Sequence, residues 1–476
     1  MISTTTDGVK LSHHALRSGI LALLLFLSYS SVFTVDNAKA SSSEAAAALF
    51  QDKWWRSIRK DMWQWEGADW AVISTALERI ENASGVRRYG DKVDTIVKYG
   101  PGNWIYEWNQ IAETAYKQGL EFEQEGDQAA ARKYFLEAAI YYTQASYPHF
   151  RDSHSKAALS RAFEMYRRAG RYFEMPLEEW KLEVDGVGFS AFIHLPQVSS
   201  SDSLAVIMKT GGMDVLSTEY YPLSETINHA GAVMIAYDSP GTGNDGIVDR
   251  EYDKHHVAVL KRILKDPRFD SDRIGVWSES LAGLTAVKLA IGDYRESVAA
   301  AVNSCGPMHA LYAMEITGGV PEGYDVHKLV DSYRSGDLSP DQISKFNQAM
   351  LNPALKAMLI DFQGETFTDR VRSNPENVLD LLSKSLPISL VEQGRLSKKN
   401  ITNTPILTIN THSDPLVPQV ESQMATDVSV QGRLMIYSDY GGHCVSRSEI
   451  PVIMEWLAYH LKLDSLGNLV ESNREE

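Results

Sequence analysis

The stretch R-I-G-V-W-S-E-S-L-A-G, at Arg273–Gly283, decides the fold that this sequence predicts. Its first half, at 274–277, is a short apolar run that is typical of a buried strand, and 284–290 is a good helix-forming run. Strand, tight turn and helix are the context of a nucleophile elbow, in which a strained turn lifts a serine hydroxyl above the edge of a sheet. Ser280 stands at that turn and is the candidate nucleophile.

The stretch departs from the usual G-x-S-x-G pattern, because Ser278 and Ala282 stand in the two glycine places. Serine and alanine are the smallest substitutes, but glycine tolerates a crowded turn better. Taken alone, the stretch fits an ordinary strand-to-helix turn equally well. Residues further along the chain must therefore decide between the two interpretations.

Length and composition indicate a soluble globular protein. The chain has 476 residues, of which 44% are hydrophobic and 23% charged, and such a length is typical of about two or three domains. The formal net charge of −16 argues against nucleic acid as a partner, because binding phosphates requires clustered lysine and arginine.

The amino terminus, residues 1–40, predicts a signal peptide. Lys10 and Arg17 precede an apolar run at 19–33, and A-K-A at 38–40 offers a cleavage site. We therefore expect a periplasmic or secreted protein, cleaved after Ala40. An uncleaved anchor is the alternative and would be the only contact with a membrane, although the run is short for a membrane span.

The rest of the chain divides by its periodicity. Residues 41–175 read as helical and include one unit that resembles the helix–turn–helix of a tetratricopeptide repeat; since a single unit is not stable alone, we expect a helical cap domain. Strands that alternate with helical runs over 176–305 and 400–465 predict a mostly parallel sheet with helices on both faces. The interval 306–399 is helical and irregular, which predicts a lid insertion, and 466–476 is a tail.

Two residues could activate the serine. Asp414 follows a predicted strand at 405–410, and His443 follows another at 433–437, so both should lie at the same sheet edge as Ser280. The chain order Ser, Asp, His is that of α/β-hydrolases. Asp439, four residues before the histidine, is the rival acid.

The oxyanion of an acyl-transfer reaction needs backbone N–H donors. One should come from Leu281, directly after the nucleophile. The other should come from Gly212 or Met213, in the loop after the strand at 204–209. The alternative is that these glycines only form a tight turn.

Two other features of the sequence are weaker candidates for a functional site. His255 and His256 do not follow a strand, and we expect them at the surface. The segment Gly241–Gly246 matches G-x-G-x-x-G after a strand, with Asp266 twenty residues further on, which read literally is a dinucleotide-binding fingerprint. Pro240 and the polar residues within the segment argue against a tight helix start there, so an oxidoreductase is the weaker interpretation.

The motifs in combination resemble a known family. The segments are G-G-M-D at 211–214, Y-D-S-P-G-T-G at 237–243, the stretch quoted first, H-S-D-P-L-V-P at 412–418 and G-G-H at 441–443. They look like the FrsA (fermentation–respiration switch protein) family of α/β-hydrolases and are similar to its relative 2,6-dihydropseudooxynicotine hydrolase, which has a helical N-terminal region. The resemblance covers roughly residues 45–462.

This resemblance implies an α/β-hydrolase fold and an esterase-like serine hydrolase with Ser280, Asp414 and His443 as its triad. In the nicotine-pathway relative, the acidic residue of the corresponding G-G-x-[DE] segment lies in the active site, a role that would map onto Asp214. Activities in the family range from carboxylic ester hydrolysis to carbon–carbon bond cleavage, so the resemblance does not give the substrate.

We therefore expect an exported serine hydrolase that cleaves an ester or related acyl bond of a small molecule through an acyl-enzyme. The alternatives are a carbon–carbon bond hydrolase of the same family, a serine peptidase of the α/β-hydrolase type and a catalytically inactive binding protein. No cofactor or metal is expected, and the oligomeric state stays open, with a dimer among the options. Cys305 and Cys444 should both lie near the active edge, as a disulfide or as free thiols.

Overall fold

The computed structural model describes most of the chain between residues 53 and 463. The described residues are 53–54, 60–87, 92–147, 153–197, 203–212, 215–244, 246, 248–309, 326–349, 379, 383, 386–414, 416–441, 443–444 and 447–463. The predicted signal peptide and the tail at 466–476 lie outside them. No helix within these ranges is long and apolar enough to cross a membrane.

In the described part of the chain, five helices precede the sheet. They are α1 (Lys60–Glu66), α2 (Trp70–Asn82), α3 (Trp104–Glu125), α4 (Gln128–Ser146) and α5 (Ser153–Gly170). The helix–turn–helix unit expected from the sequence is α3 and α4. Gly126 ends α3 in the left-handed conformation at φ 81°, and the Asp127 side chain begins α4 by accepting from the Ala130 amide.

One mixed sheet of eight strands forms the centre of the described structure. The strands are β1 (Leu177–Val184), β2 (Val187–His194), β3 (Leu204–Thr210), β4 (Val233–Tyr237), β5 (Phe269–Glu279), β6 (Ala300–Ser304), β7 (Ile406–Ser413) and β8 (Arg433–Gly441). Their order is β1-β2-β4-β3-β5-β6-β7-β8. The hairpin β1–β2 and the pair β2–β4 are antiparallel, and the remaining pairs are parallel. The mostly parallel sheet predicted from the sequence is therefore confirmed.

Helices cover both faces of this sheet. They are α6 (Tyr221–His229), α7 (Lys254–Ile263), α8 (Gly283–Ile291), α11 (Gln419–Asp427) and α12 (Ile450–Leu461). Alternate residues of one strand pack on opposite faces: in β3, Val206 and Met208 join one apolar cluster, and Ala205 and Ile207 join another. Buried on both faces, the strand is apolar along almost its whole length.

The region between β6 and β7 contains two helices among its described residues, α9 (Val326–Ser335) and α10 (Pro340–Ala349). Most of the predicted lid lies outside the described residues. At its near end, the backbone amides of Met308 and His309 both donate to the Glu421 carboxylate on α11.

Candidate active site

The predicted nucleophile elbow forms. Strand β5 ends at Glu279, a short 3₁₀ turn spans Ser280–Ala282, and α8 follows directly. Ser280 has φ 50°, in the left-handed region that non-glycine residues rarely adopt. A strained serine between a strand and a helix is the conformation expected of an exposed nucleophile.

Two glycines allow the chain to pass close to this turn. A Cβ on Gly212 would lie 2.5 Å from Ser280 Cβ and 2.9 Å from its Oγ. A Cβ on Gly283 would overlap Asn303 Oδ1 at the end of β6. Gly283, the residue after Ala282, therefore allows the close approach between the elbow and the end of β6. This explains how alanine can occupy the last glycine place of the pattern.

The three predicted triad residues meet at the carboxyl edge of the sheet. Ser280 Oγ lies 2.7 Å from His443 Nε2, and His443 Nδ1 lies 3.0 Å from Asp414 Oδ2 and 3.1 Å from Oδ1. In this arrangement a proton on Nδ1 is donated to the carboxylate, which leaves Nε2 free to accept the serine proton. Asp414 is thus the acid that contacts the histidine, whereas the side chain of the rival Asp439 lies outside the described residues.

Asp414 is held in place by its own loop. Its Oδ1 accepts hydrogen bonds from the amides of Leu416 at 2.8 Å and Val417 at 2.9 Å. Asn410, near the end of β7, donates to the Val417 carbonyl at 2.7 Å and so fixes the same turn from below. Asp414 is 2% exposed, and amide donors together with the imidazole satisfy its carboxyl oxygens.

A disulfide lies beside the histidine. Cys305, directly after β6, is joined to Cys444, directly after His443, with 5.1 Å between their Cα atoms. The two sulfurs and a ring nitrogen of His443 all lie within 4.8 Å of one another. Because each sulfur is bonded to the other, this group does not offer the thiolates that a metal would need.

The oxyanion donors expected from the sequence are described in part. Gly212 lies against Ser280, and Leu281 follows the serine in the 3₁₀ turn. Met213 and Asp214 lie outside the described residues. The loop after β3 therefore reaches the nucleophile, as an oxyanion loop must.

The prediction that His255 and His256 lie at the surface is wrong, because both are fully buried. They stand on the first turn of α7, which is enclosed by the hairpin on one side and α8 on the other. His255 stacks on Phe189 with 3.9 Å between ring centroids and contacts the Asp238 carbonyl. His256 Nε2 lies 2.7 Å from Thr285 Oγ1 on α8. Burial lowers the pKa of His255 to about 4 and that of His256 to about 3.

His256 also explains the serine in the first glycine place of the elbow. Ser278 Oγ lies 3.4 Å from His256 Nε2, so its hydroxyl has a polar neighbour inside the core. This contact could not be predicted from the sequence, since the two residues are 22 positions apart and no local pattern connects them. The same holds for Lys209 and Glu449, which form a buried charged cluster with Glu279. A lysine inside the apolar run of β3 was the signal that could have indicated a buried partner.

The G-x-G-x-x-G segment forms a turn that is closed by its own side chain. Asn244 Oδ1 accepts from the amides of Gly241 at 3.2 Å and Gly246 at 2.9 Å. The next helix in the described part of the chain, α7, begins only at Lys254. A dinucleotide site requires a helix N-terminus directly after the glycines, and these residues do not provide one.

Comparison with known proteins places the chain among esterases. A family model described as "Esterase FrsA-like" matches residues 29–330. The chain is 23% identical to Esterase FrsA of Photobacterium profundum over 428 residues, which cover 89% of this chain and 90% of that protein. It is 28% identical to Esterase FrsA of Yersinia pestis over 387 residues, which cover 80% and 82% respectively.

Two solved structures share the fold. The 2,6-dihydroxy-pseudo-oxynicotine hydrolase matches with a TM-score of 0.59 at 16% identity, over 84% of this chain and 95% of that one. AbyA5 matches with a TM-score of 0.55 at 17% identity, over 85% and 95%. The sheet order and these neighbours agree with the α/β-hydrolase fold expected from the sequence.

Proposed function

The chain belongs to the FrsA-like family of esterase-like α/β-hydrolases, and we propose that it is an exported serine esterase that works through an acyl-enzyme. One observation carries the proposal: Ser280 Oγ lies 2.7 Å from His443 Nε2 while the serine occupies a strained elbow at φ 50°. A serine hydroxyl becomes nucleophilic only when a base is within hydrogen-bond reach and a third group orients that base.

In the proposed reaction, Ser280 Oγ attacks the carbonyl carbon of the ester while His443 Nε2 accepts the hydroxyl proton. Asp414 orients the imidazole through Nδ1 and stabilises its positive charge. The tetrahedral intermediate then expels the alkoxide, which receives the proton from His443, and Ser280 is left acylated. Water, deprotonated by the same histidine, attacks the acyl carbon and releases the carboxylic acid and the free serine.

Negative charge on the carbonyl oxygen would be stabilised by two backbone amides. We assign one to Leu281 and the other to the loop after β3, at Gly212 or Met213. The close approach of Gly212 to Ser280 Oγ supports this assignment. Loss of one such donor typically lowers kcat by about 100- to 1,000-fold.

Export is supported by two independent features. Residues 1–40 have the charged start, apolar run and small-residue cleavage site of a signal peptide. The Cys305–Cys444 disulfide is of a kind that persists outside the reducing cytosol. We expect protein recovered from a secretion-competent bacterial host to begin at Ser41, as intact mass and cell fractionation would show. Recovery of the whole chain from the cytosol would contradict export without affecting the esterase proposal.

The activated serine is tested by labelling the protein with a fluorophosphonate probe. We expect labelling of the wild type and none of Ser280→Ala, because the probe reacts only with an activated serine. Ser160→Ala, on the cap helix α5, is a matched control that should label like the wild type. Folded wild-type protein that does not label would favour the inactive binding protein instead.

A substrate panel then separates the remaining alternatives. We expect p-nitrophenyl esters of short acids to be hydrolysed, with a burst of p-nitrophenol equal to the enzyme concentration if deacylation is slower than acylation. Hydrolysis of a β-diketone but not of esters would favour the carbon–carbon bond hydrolase. Cleavage of peptide amides in preference to matched esters would favour the peptidase.

A further inference from the structure

A lysine is buried beside the strand that leads to the proposed nucleophile. Lys209, near the end of β3, has a fully buried side chain, and its ammonium donates to Glu279 Oε1. The same ammonium lies over two aromatic rings, 4.4 Å from the centroid of Tyr220 and 4.6 Å from that of Trp277. A buried cation is costly unless it is paired, and here a carboxylate and two ring faces surround it.

Glu279 connects this cation to the elbow. It is the last residue of β5 and immediately precedes Ser280. Its second oxygen, Oε2, accepts a hydrogen bond from the Tyr220 hydroxyl at 3.1 Å. With one oxygen on Lys209 and the other on Tyr220, the side chain fixes the backbone from which the strained serine turn begins.

A second carboxyl group brings the histidine loop to the same place. Glu449 ends a short 3₁₀ turn at Arg447–Glu449, six residues after His443, and is 3% exposed. Its carboxyl interacts electrostatically with both Glu279 and Lys209 and hydrogen-bonds the Ser304 hydroxyl. Burial and the Glu279 carboxylate raise the pKa of Glu449 well above its usual value, although Lys209 opposes the rise. With Glu449 protonated, the cluster would contain one cation, Lys209, and one anion, Glu279.

These contacts join three of the chain segments that build the site. Lys209 belongs to the strand that leads into the oxyanion loop, Glu279 to the nucleophile strand and Glu449 to the loop that carries the histidine. Ser304, which also accepts a hydrogen bond from Trp277 Nε1 at 3.2 Å, ends β6 beside the disulfide. We propose that Lys209, Glu279 and Glu449 are positioning residues of the hydrolase, and that their cluster sets the register of the nucleophile, oxyanion and histidine loops relative to one another. The inference rests on the proposed triad.

The test compares kcat, KM and folding in isosteric variants. Glu279→Gln keeps the size of the side chain but removes the charge that holds Lys209, and we expect kcat to fall about ten- to 100-fold while KM changes less than about threefold. Glu449→Gln imitates a protonated acid, so it should retain most of the activity, whereas Glu449→Ala should lower kcat like Glu279→Gln. Rescue by the amide but not by alanine is the signature of a neutral, positioning carboxyl.

A double variant tests whether the charges act together. Lys209→Met alone leaves the carboxyl groups of Glu279 and Glu449 without their cation. Lys209→Met/Glu279→Gln also removes the uncompensated charge of Glu279. We expect the double variant to be more active and more stable than Lys209→Met, and non-additivity of this kind shows coupling. If Lys209→Met does not fold, the kcat values of Glu279→Gln, Glu449→Gln and Glu449→Ala still test the proposal.

The matched control is another largely enclosed ion pair among the described residues, Lys288 with Asp253, whose side chains are 12% and 15% exposed. Lys288→Met should lower the melting temperature with kcat within about twofold of the wild type. Folded Glu279→Gln with wild-type kcat, or with a loss no larger than that of Lys288→Met, would overturn the inference. Failure of the proposed function itself would be seen separately, as absence of fluorophosphonate labelling in the wild type.

Discussion

Gly212 is a residue at which a single added methyl group should directly disturb the proposed nucleophile. An alanine Cβ there would lie 2.9 Å from Ser280 Oγ and 2.5 Å from its Cβ, which is closer than such atoms approach in proteins. Either the serine or the oxyanion loop must then move. We expect Gly212→Ala to lower kcat for ester hydrolysis by about 100-fold, because displacements of about 1 Å have effects of that size.

The matched control for this change is Gly188→Ala in the hairpin. A Cβ at Gly188 would meet only the Leu182 carbonyl, at 3.9 Å, which is an ordinary contact. Gly188→Ala should therefore retain wild-type kcat, and both variants should show similar unfolding midpoints in urea. Wild-type activity of a folded Gly212→Ala would place the oxyanion loop elsewhere.

His256 makes a pH-dependent contribution to stability. Its folded pKa is lowered by burial to about 3 from an ordinary value of 6.5, so between these values the unfolded chain binds more protons than the native one. The free energy of unfolding that His256 contributes is thus fully present above pH 6.5 and falls as the pH is lowered. At pH 5 the loss should be about 2 kcal/mol.

This prediction is measured by urea unfolding of the wild type and His256→Gln at pH 8 and pH 5. The stability advantage of the wild type should shrink by about 2 kcal/mol at the lower pH. Comparison with a variant is needed because burial raises the pKa of Asp238 and Glu421 to about 7, which gives them the opposite slope. His229→Gln, an exposed substitution, controls for the change in histidine number. An unchanged difference between the two pH values would show that His256 is accessible to protons in the native state.

At the scale of elements, the disulfide joins the end of β6 to the histidine loop across a sequence separation of 139 residues. Closing a loop of that size stabilises a fold by about 3–5 kcal/mol. Because Cys444 follows His443 directly, the bond also restrains the turn that carries the imidazole. We expect Cys305→Ser/Cys444→Ser to lower both the melting temperature and kcat, with a smaller change in KM.

Reduction of the wild type by a dithiol should reproduce this loss, and the double serine variant should not respond to the dithiol. Thiol titration of the denatured, unreduced wild type should find no free thiol. Complete reduction, verified by titration, with unchanged kcat would show that the bond stabilises the fold without positioning the histidine.

Strands and helices could be predicted where the sequence pattern that indicates them is local. The strand containing Ile274 to Trp277 was recognised from its apolar run, and the helix after it from a run of helix formers. Helix α11, Gln419–Asp427, was not predicted, because its sequence Q-V-E-S-Q-M-A-T-D has no strong apolar period. The parallel pairing of β7 with β8 nevertheless requires a crossover there.

The residues of the candidate site follow the same division. The meeting of Ser280, Asp414 and His443 could be predicted from the sequence, since each stands just after a strand and parallel strands end at one edge. Contacts that depend on tertiary packing could not be predicted from the sequence. The burial of His255 and His256 arises because α7 is enclosed on two sides, and the interaction of Glu449 with Lys209 joins opposite halves of the chain that no local pattern connects.

At the scale of the whole molecule, the N-terminal helices and strand β2 share an apolar cluster. Phe192 of β2 belongs to the same buried cluster as the cap helices, whereas its neighbours Ala191 and Ile193 pack on the other face of the sheet. Its ring lies 5.1 Å from that of Tyr166 and 6.0 Å from that of Phe163, both on α5. On the same side, Phe173 packs on Tyr221 of α6 at 4.3 Å, so the cap is continuous with the helix that follows the oxyanion loop.

A shared core predicts that the cap and the sheet unfold together. Phe192→Ala should lower the free energy of unfolding by about 3–5 kcal/mol, the usual effect of deleting a buried phenylalanine ring, and should shift a single calorimetric transition without splitting it. Phe189→Ala, three residues earlier and packed on the opposite face, is the matched control: it should shift the same single transition, because a sheet that unfolds together with the helices cannot be destabilised alone. Two separate transitions, with only the first moved by Phe192→Ala, would mean that the helices fold independently of the sheet. Their contact with the oxyanion side of the site would then not be coupled to the stability of the sheet.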